Sequence, residues 1–287
     1  MNPTPTPPKP ATLSGTVALG DLVVQRLGFG AMRITGSGVW GPPEDRPEAL
    51  RVLRRAVDLG VTFIDTANSY GPHISETLIA EALAPYPSEL VIGTKGGYER
   101  PGPGQWRTNG RPEHLRAELE GSLRRLKLER INLYQLHRID PAVPEDDQFG
   151  VLQTFQREGK IRHIGLSEVS VDQVTRARRS FPVVSVQNRY NVVDRQAEDV
   201  VSYCDREGIA FIPWYPLLVG KVGETSSALA TLAAGHGVSP MQMALAWLLA
   251  RSPVMLPIPG TSRVDHLEEN VAAAAIRVSA AEFAGLG

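Results

Sequence analysis

The chain has 287 residues, of which 42% are apolar and 21% are charged, and its formal net charge is −1. This balance is typical of a globular protein large enough for one α/β barrel or for two ordinary domains. A net charge so close to zero excludes a broad basic surface for nucleic acid or for an anionic membrane.

The N-terminal segment is rich in proline, with five prolines in its first ten residues. It has no apolar core typical of a signal peptide, so it predicts a disordered, extended tail over residues 1–15. The next stretch, "GTVALGDLVVQ", predicts a small hairpin that closes the floor of a barrel. Later apolar runs such as "MALAWLLA" are too short to span a bilayer. We therefore expect a cytoplasmic protein with one globular domain over residues 16–287.

Eight short apolar runs alternate with helical patterns along the rest of the chain. The runs are continuous rather than alternating, as expected of strands that are buried on both faces of a parallel sheet. Eight βα units in this length predict an α/β fold, a single (β/α)8 TIM barrel with its catalytic residues at the carboxyl ends of the strands. The predicted strands span residues 26–30, 61–65, 90–94, 131–137, 162–167, 183–188, 209–214 and 254–258.

The segments between these runs have helical spacing. "RPEALRVLRRAVDLG" places its apolar residues on one face and ends at Gly60, a residue typical of a helix C-terminus. "RPEHLRAELEGSLRRL" opens with Pro112 at the first helical position and repeats leucine at helical intervals. The other predicted helices lie near residues 75–84, 147–158, 171–180, 195–207, 225–235 and 239–251.

Polar side chains with complementary chemistry follow three successive strands. Asp65 ends the second strand, Lys95 follows the third and His137 ends the fourth, while Tyr70 lies in the loop after Asp65. A barrel brings these ends to one rim. A free phenol has a pKa of about 10, and a nearby ammonium lowers that pKa by stabilising the phenolate. A carboxylate keeps the lysine charged, so the four residues predict a general-acid assembly.

Six segments together resemble the aldo-keto reductases over about residues 27–270. They are "FIDTANSYG", "GTKGG", "YQLHR", "GKIRHIGLSE", "VQNRYN" and "IPGTSRVDHLEEN", in this order. The resemblance implies a TIM barrel that reduces aldehydes and ketones with NADPH, the hydride coming from the nicotinamide. It further implies that Tyr70 gives a proton to the carbonyl oxygen and that Lys95 and Asp65 tune it. His137 then orients the substrate carbonyl.

The same resemblance implies a set of cofactor contacts. Ser167 and Gln187 match the positions that hold the nicotinamide carboxamide. Trp214 falls where the family stacks an aromatic ring, most often tyrosine, on the nicotinamide, and a flat face suits that ring. Backbone donors at a helix start and a guanidinium suit the 2′-phosphate, which favours NADP over NAD. The phosphate positions are Thr261, Ser262 and Arg263, the adenine positions Glu269 and Asn270, and the remaining contacts Gly30, Met32, Pro216, Leu217, Ile258 and Gly260.

Two positions depart from the family's pattern. Glu168 stands where many members have asparagine after the serine. Gly260 stands where lysine is common, which leaves Arg263 as the main cation expected at the phosphate.

The substrate pocket is expected in the loops that line the top of the barrel. Its candidates are Trp40, His73, Trp106 and Tyr215. Exposed aromatic side chains favour a flat or aromatic carbonyl, although either tryptophan could instead pack a loop. "GAMRITGSGVWGPPEDRPEAL" with "SYGPHISE" most resembles the bacterial pyridoxal-reductase-like branch, which reduces pyridoxal to pyridoxine. A secondary-metabolite ketoreductase is the alternative, and the oligomeric state is left open.

Two rival functions come from other classes. Lys95 could form a Schiff base in a barrel aldolase, but this leaves Tyr70 and the "IPGTSR" segment unexplained. The chain could also bind NADPH as a sensor or regulatory subunit, against which the intact set of four residues argues. "LGFGAM" lacks the third glycine of a dinucleotide-binding fingerprint, and no cluster has zinc-ligand spacing. Cys204 is the only cysteine, so no intrachain disulfide is possible.

Overall fold

A computed structural model describes residues 8–286, except for the side chain of Val219. Its strands are β1 (Thr16–Leu19), β2 (Leu22–Gln25), β3 (Phe29–Gly30), β4 (Phe63–Asp65), β5 (Val91–Gly96), β6 (Tyr98–Glu99), β7 (Arg107–Thr108), β8 (Ile131–Leu136), β9 (Ile161–Ser167), β10 (Val183–Gln187) and β11 (Ala210–Phe211).

The first six helices alternate with the barrel strands, and the last five follow β11. They are α1 (Arg46–Asp58), α2 (Ile74–Leu83), α3 (Pro112–Leu126), α4 (Glu145–Arg157), α5 (Val171–Ala177), α6 (Glu198–Glu207), α7 (Val222–Thr225), α8 (Ser227–Gly235), α9 (Pro240–Arg251), α10 (Val264–Ala272) and α11 (Ala280–Gly285). No helix in the described part of the chain is both long and apolar enough to span a membrane.

Seven parallel strands form the main sheet, in the order β3, β4, β5, β8, β9, β10 and β11. The two hairpins, β1–β2 and β6–β7, are antiparallel and separate from it. The segment 254–258 takes the eighth place without forming a regular strand. The N–H of Phe211 donates to the carbonyl of Val254 at 2.9 Å, and the N–H of Leu256 donates back to the carbonyl of Phe211 at 2.8 Å.

The same segment also contacts the first strand, which closes the barrel. Pro257 and Pro259 have no N–H to donate, which explains the absence of a regular ladder. Their carbonyls accept from Gly28 and Gly30 at 3.0 and 3.4 Å. The predicted single-domain (β/α)8 barrel is therefore confirmed, with one irregular side.

The β1–β2 hairpin covers the floor of the barrel, as the sequence predicts. Its buried residues Leu19 and Val24 pack in one apolar cluster with Phe63 and Leu133, which belong to barrel strands. The hairpin turn is held from outside by Asp21, which pairs with Arg162 at the start of β9. This end of the barrel is thus filled with side chains, and the opposite end is left for a site.

The predicted tail requires a correction. Residues 1–7 lie outside the described residues, but Pro10–Ser14 forms a 3-10 helix rather than a disordered segment. Ala11 is fully buried, and its N–H donates to the carbonyl of Leu59 at 3.0 Å. A small apolar side chain and one backbone bond tie this segment to the end of α1, which a proline count does not show.

Local chemistry sets the helix ends. The side chain of Asp45 accepts from the N–H of Glu48 and caps α1, and Ser239 forms a capping box with Gln242 at α9. α6 begins at Glu198 and not near residue 195, because the side chain of Asn191 bonds the amides two and three residues later and holds a turn.

Candidate active site

A cavity of about 580 Å³ opens at the carboxyl ends of the barrel strands. It is lined mainly by the residues that the sequence proposes for catalysis and for the cofactor. Those that line it are Asp65, Tyr70 and His137; Gly30, Met32, Ser167, Gln187, Trp214, Pro216, Leu217, Ile258, Gly260, Thr261, Ser262, Glu269 and Asn270; and, from the predicted substrate pocket, Trp106 and Tyr215.

Lys95 lies directly behind the cavity wall and is fully buried. Its ammonium donates to Asp65 Oδ2 at 2.6 Å, to the carbonyl of Thr66 at 2.9 Å and to Tyr70 Oη at 3.4 Å. β4 and β5 are paired in parallel, with Asp65 opposite Gly93 in register, so the lysine reaches across from the neighbouring strand. The three side chains therefore form one connected unit at two strand ends.

Two glutamines hold Asp65 in place from the other strands. Gln135 and Gln187 each place their amide nitrogen near Asp65 Oδ1, at 3.0 and 2.9 Å. An ionised carboxylate only accepts, so both amide NH2 groups face it. The buried charge of Asp65 is thus satisfied by one ammonium and two amides, as a buried carboxylate requires.

The environment shifts the pKa of Tyr70 in a direction opposite to the sequence-based expectation. Burial raises the pKa of Tyr70, while the charge of Lys95 acts to lower it and does not overcome burial. Burial alone would lower the pKa of Lys95, but the negative charge of Asp65 and the contacts to Tyr70 outweigh it and raise that pKa. The phenol therefore keeps its proton and faces a lysine that stays charged.

His137 lies beside Tyr70, with the two ring centroids 5.9 Å apart and nearly perpendicular. Burial, helped by the positive charges of Lys95 and Arg138, holds the pKa of His137 well below its usual value. The ring is therefore neutral near pH 7 and has one N–H to donate. Asp65, Tyr70, Lys95 and His137 form the group called the tetrad below.

An aromatic wall stands above the tetrad. Tyr98 packs edge-on against His137 at 4.7 Å and against Trp106 at 5.4 Å between ring centroids, and both Tyr98 and Trp106 line the cavity. The wall belongs to the short β6–β7 hairpin, in which Tyr98 pairs with Thr108.

Arg100 ties three loops together behind this wall. One guanidinium nitrogen donates to the carbonyls of Val39 and Ser69 at 3.1 and 2.8 Å, and Nε donates to the carbonyl of Gln105 at 3.0 Å. The guanidinium also stacks on Trp106, 3.7 Å from the ring centroid. We call this set of contacts the Arg100 clamp.

Two residues predicted for the substrate pocket do not line the cavity. Trp40 packs against the Arg100 clamp, with its ring centroid 5.4 Å from the guanidinium carbon. His73 adopts a left-handed conformation, φ +71°, immediately before α2, and its carbonyl accepts from the first turn of that helix. Neither side chain is among the residues that line this cavity, and their contact with substrate stays a prediction.

The opposite end of the cavity is shaped by close backbone contact. A Cβ on Gly260 would lie 2.5 Å from the carbonyl oxygen of Gly30, and one on Gly30 would lie 2.6 Å from the carbonyl oxygen of Ile258. Both glycines are required by this approach of the first loop to the 257–260 segment. A lysine at position 260 cannot be accommodated without moving the backbone, which explains that departure from the family's pattern.

At the end of the cavity where the 2′-phosphate is predicted, the arginine that lines the cavity is Arg33 and not Arg263. Arg263 does not line the cavity, and its guanidinium pairs with Asp265, with Nε 2.9 Å from Oδ1. The amide of Val264 is already bonded to Glu48 at 2.9 Å. Arg33 from the first loop does line the cavity, and its Cγ lies 3.5 Å from the Cβ position of Gly260. Arg33 is therefore the arginine that lines this end of the cavity.

Ser167 and Gln187 retain the groups that a carboxamide needs. Arg138 donates to Ser167 Oγ at 3.0 Å, so the Ser167 hydroxyl hydrogen is left to donate into the cavity. Gln187 directs its amide nitrogen to Asp65, so its carbonyl oxygen is left to accept. A donor and an acceptor side by side fit a carboxamide. Glu168 does not take part, because its carboxylate accepts from the indole N–H of Trp214.

Several site residues are missing from the sequence-based prediction: Arg33, Tyr98, Arg100, Gln135 and Arg138. A signal exists for Gln135, since it lies two residues before His137 in "YQLH" and strand residues two apart share a face. Arg33, Tyr98 and Arg100 lie in loops, whose positions depend on contacts far away along the chain.

Comparison with known proteins gives a consistent result. A model of the Aldo/keto reductase family matches residues 26–286. The chain is 53% identical over 276 residues to an uncharacterised oxidoreductase of Schizosaccharomyces pombe, covering 96% of this chain and 90% of the relative. It is 43% identical over 272 residues to the pyridoxine 4-dehydrogenase of Escherichia coli K12, covering 93% and 95%.

Solved structures show the same architecture. A glycerol dehydrogenase from Gluconobacter oxydans superposes with a TM-score of 0.86 at 25% identity, covering 95% of this chain and 94% of that one. A Klebsiella pneumoniae aldo/keto reductase in complex with NADP and acetate superposes with a TM-score of 0.79 at 23% identity, covering 94% and 93%. At this level of identity the second likeness shows the fold.

Proposed function

The chain belongs to the aldo/keto reductase family, and from this premise and the geometry of its site we propose that it reduces a carbonyl with NADPH, with Tyr70 as the general acid. The observation that carries this proposal is the connected unit of Asp65, Lys95 and Tyr70, which reaches the cavity beside a neutral His137. The product is an alcohol, and the substrate is a small aldehyde or ketone.

The side chains have distinct tasks in this proposal. The bound cofactor supplies a hydride to the carbonyl carbon. The Tyr70 hydroxyl gives its proton to the carbonyl oxygen, and the Lys95 ammonium, 3.4 Å away, stabilises the phenolate that is left. Asp65 keeps Lys95 charged and fixed. The neutral His137 donates an N–H to the same oxygen and orients it.

The residues present fit a nicotinamide dinucleotide. Ser167 and Gln187 offer the donor and acceptor that a carboxamide requires, and Trp214 gives a flat surface beside them. The close contact of Gly30 with Gly260 fixes the backbone that borders the other end of the cavity. The preference for NADP over NAD is supported by Arg33, which lines the far end of the cavity.

Pyridoxal is the substrate we propose, reduced at its aldehyde to pyridoxine. The 43% identical Escherichia coli relative is named pyridoxine 4-dehydrogenase and aligns over nearly its whole length. The aromatic wall of Tyr98 and Trp106, with Tyr215 on the cavity lining, suits a flat heteroaromatic ring.

A carbonyl panel tests the proposal. NADPH oxidation by the purified protein is followed with pyridoxal, an aromatic aldehyde and an aliphatic ketone, each also with NADH. Turnover of pyridoxal at low concentration supports the function and the substrate together. Turnover of the aromatic aldehyde alone keeps the reductase and rejects pyridoxal. NADPH binding without turnover of any carbonyl rejects the enzyme in favour of a sensor.

The aldolase alternative is disfavoured by the state of Lys95. A Schiff-base lysine must lose its proton to attack a carbonyl, whereas the pKa of Lys95 is raised and its ammonium is bonded to Asp65. Lys95 also lies behind the cavity wall and not among the residues that line it.

A further inference from the structure

Glu168 lies directly after β9 and connects the end of this strand to the ends of β10 and β11. It follows the last residue of β9 with φ +56°, a left-handed conformation unusual for a residue with a side chain. Its N–H donates to the carbonyl of Gln187 at 3.0 Å, which fixes its backbone beside β10. The side chain is thereby directed along the carboxyl ends of the strands.

One carboxylate oxygen of Glu168 joins the ends of the next two strands. Oε1 accepts from the backbone N–H of Arg189 at 2.7 Å and from the indole Nε1 of Trp214 at 2.5 Å. The indole N–H is the single polar group of that ring, so this bond decides how the ring is turned. Charge-assisted bonds of this kind are roughly twice as strong as neutral ones.

Apart from this bond, the indole contacts Tyr215 and Arg189 and borders the cavity. Trp214 lines the cavity and is half-buried, so one face is open. Tyr215 follows with φ +62° and contacts Trp214 at a tilt, with ring centroids 5.8 Å apart. The guanidinium of Arg189 lies 5.9 Å from the Trp214 centroid and is itself paired with Asp194 at 2.7 Å.

We propose that Glu168 is a positioning residue that fixes the plane of the Trp214 indole, and so the surface on which the flat ring of the cofactor packs. This inference rests on the proposed function. Glu168, where many family members have asparagine, and Trp214, where tyrosine is most common, then act as one unit. Asparagine at 168 would be one carbon shorter than glutamate, and tyrosine at 214 would have no indole N–H to donate to it.

A double-mutant cycle tests this pairing. The variants are Glu168→Asn, Glu168→Gln, Trp214→Tyr and Glu168→Asn with Trp214→Tyr. The readout is the Kd for NADP+ measured by calorimetry, together with Tm, and Glu207→Asn is the surface control, because Glu207 pairs with Arg178 on the outside of the barrel.

The expected pattern is a loss that depends on the indole. Glu168→Asn raises the Kd about tenfold, close to the loss of one charge-assisted bond, and Glu168→Gln, which keeps an acceptor at the same length, raises it less than threefold. In the Trp214→Tyr background, Glu168→Asn changes the Kd less than twofold. Glu207→Asn leaves the Kd unchanged.

Other results would overturn the proposal. Equal effects of Glu168→Asn in both backgrounds mean that Glu168 acts without the indole. A drop in Tm with no change in Kd means that its role is only structural. Failure of the unmutated protein to bind NADP+ or NADPH would instead overturn the proposed function itself, and so the two failures are distinguishable.

Discussion

The floor of the active-site cavity and its rim are held by different forces. At the floor, Lys95 and Asp65 are almost fully buried and directly paired, and two glutamines complete the shell of Asp65. At the rim, the Arg100 clamp joins backbone carbonyls of three loops and stacks on Trp106. The floor residues lie at the ends of strands, whereas the rim residues lie in loops.

This difference indicates which region controls the chemical step and which controls the choice of substrate. A buried ion pair with every hydrogen bond satisfied tolerates little displacement, which suits groups that must hold a proton at one point. Loops tied through a single side chain can be re-formed around other substrates without disturbing the strands. Changes at the floor should therefore act on the rate of the chemical step, and changes at the rim should act on substrate affinity.

The largest effect is expected at the floor. Tyr70→Phe removes the proton donor while keeping the ring, so kcat for the carbonyl should fall about 10²–10⁴-fold, the range typical of a general acid. The Kd for NADPH should change less than twofold, because the phenol acts on the carbonyl oxygen. Steady-state kinetics and calorimetry on the same preparation measure both. An unchanged kcat would show that Tyr70 is not the general acid. The buried Lys95–Asp65 pair would then have no catalytic role through Tyr70.

A smaller effect is expected at the rim. Arg100→Ala frees three backbone carbonyls and the Trp106 ring, so kcat/KM should fall roughly tenfold, mostly through KM, the equivalent of one or two hydrogen bonds. The matched control is Arg116→Ala, because Arg116 likewise combines hydrogen bonds, two to Glu158, with a position over an aromatic ring, that of Phe155, but lies on α3 away from the cavity. An effect of Arg100→Ala on kcat alone would place the clamp with the floor, since its bond to Ser69 adjoins Tyr70.

The two regions also differ in how far the sequence predicts them. Strand ends can be located in the sequence, because short apolar runs indicate β4, β5 and β8 and a polar residue follows or ends each run. This is how the sequence singles out Asp65, Lys95 and His137, which belong to the floor. The expected direction of the Tyr70 pKa was wrong, since burial depends on the packed structure and not on neighbours in sequence. The roles of Trp40 and His73 stay predictions, because a loop aromatic looks identical in sequence whether it faces the cavity or packs against another loop. Arg33 was missed because the approach of Gly30 to Gly260 joins segments about 230 residues apart.

The smallest effect is expected at the arginine that lines the cofactor end of the cavity. Arg33 lines the cavity, whereas Arg263 is turned to Asp265, so Arg33→Gln should weaken NADPH binding by up to about fivefold, the range of an exposed ion pair. NADH binding should change less, and Arg263→Ala should alter the NADPH-to-NADH ratio of Kd values less than Arg33→Gln does. Calorimetric titration of both variants with both cofactors, at low and high salt, decides between them. If Arg263→Ala alone removes the preference for NADPH over NADH, the Arg263–Asp265 pair must open when the cofactor binds. Arg263, the cation expected from the sequence, is then the residue that contacts the 2′-phosphate.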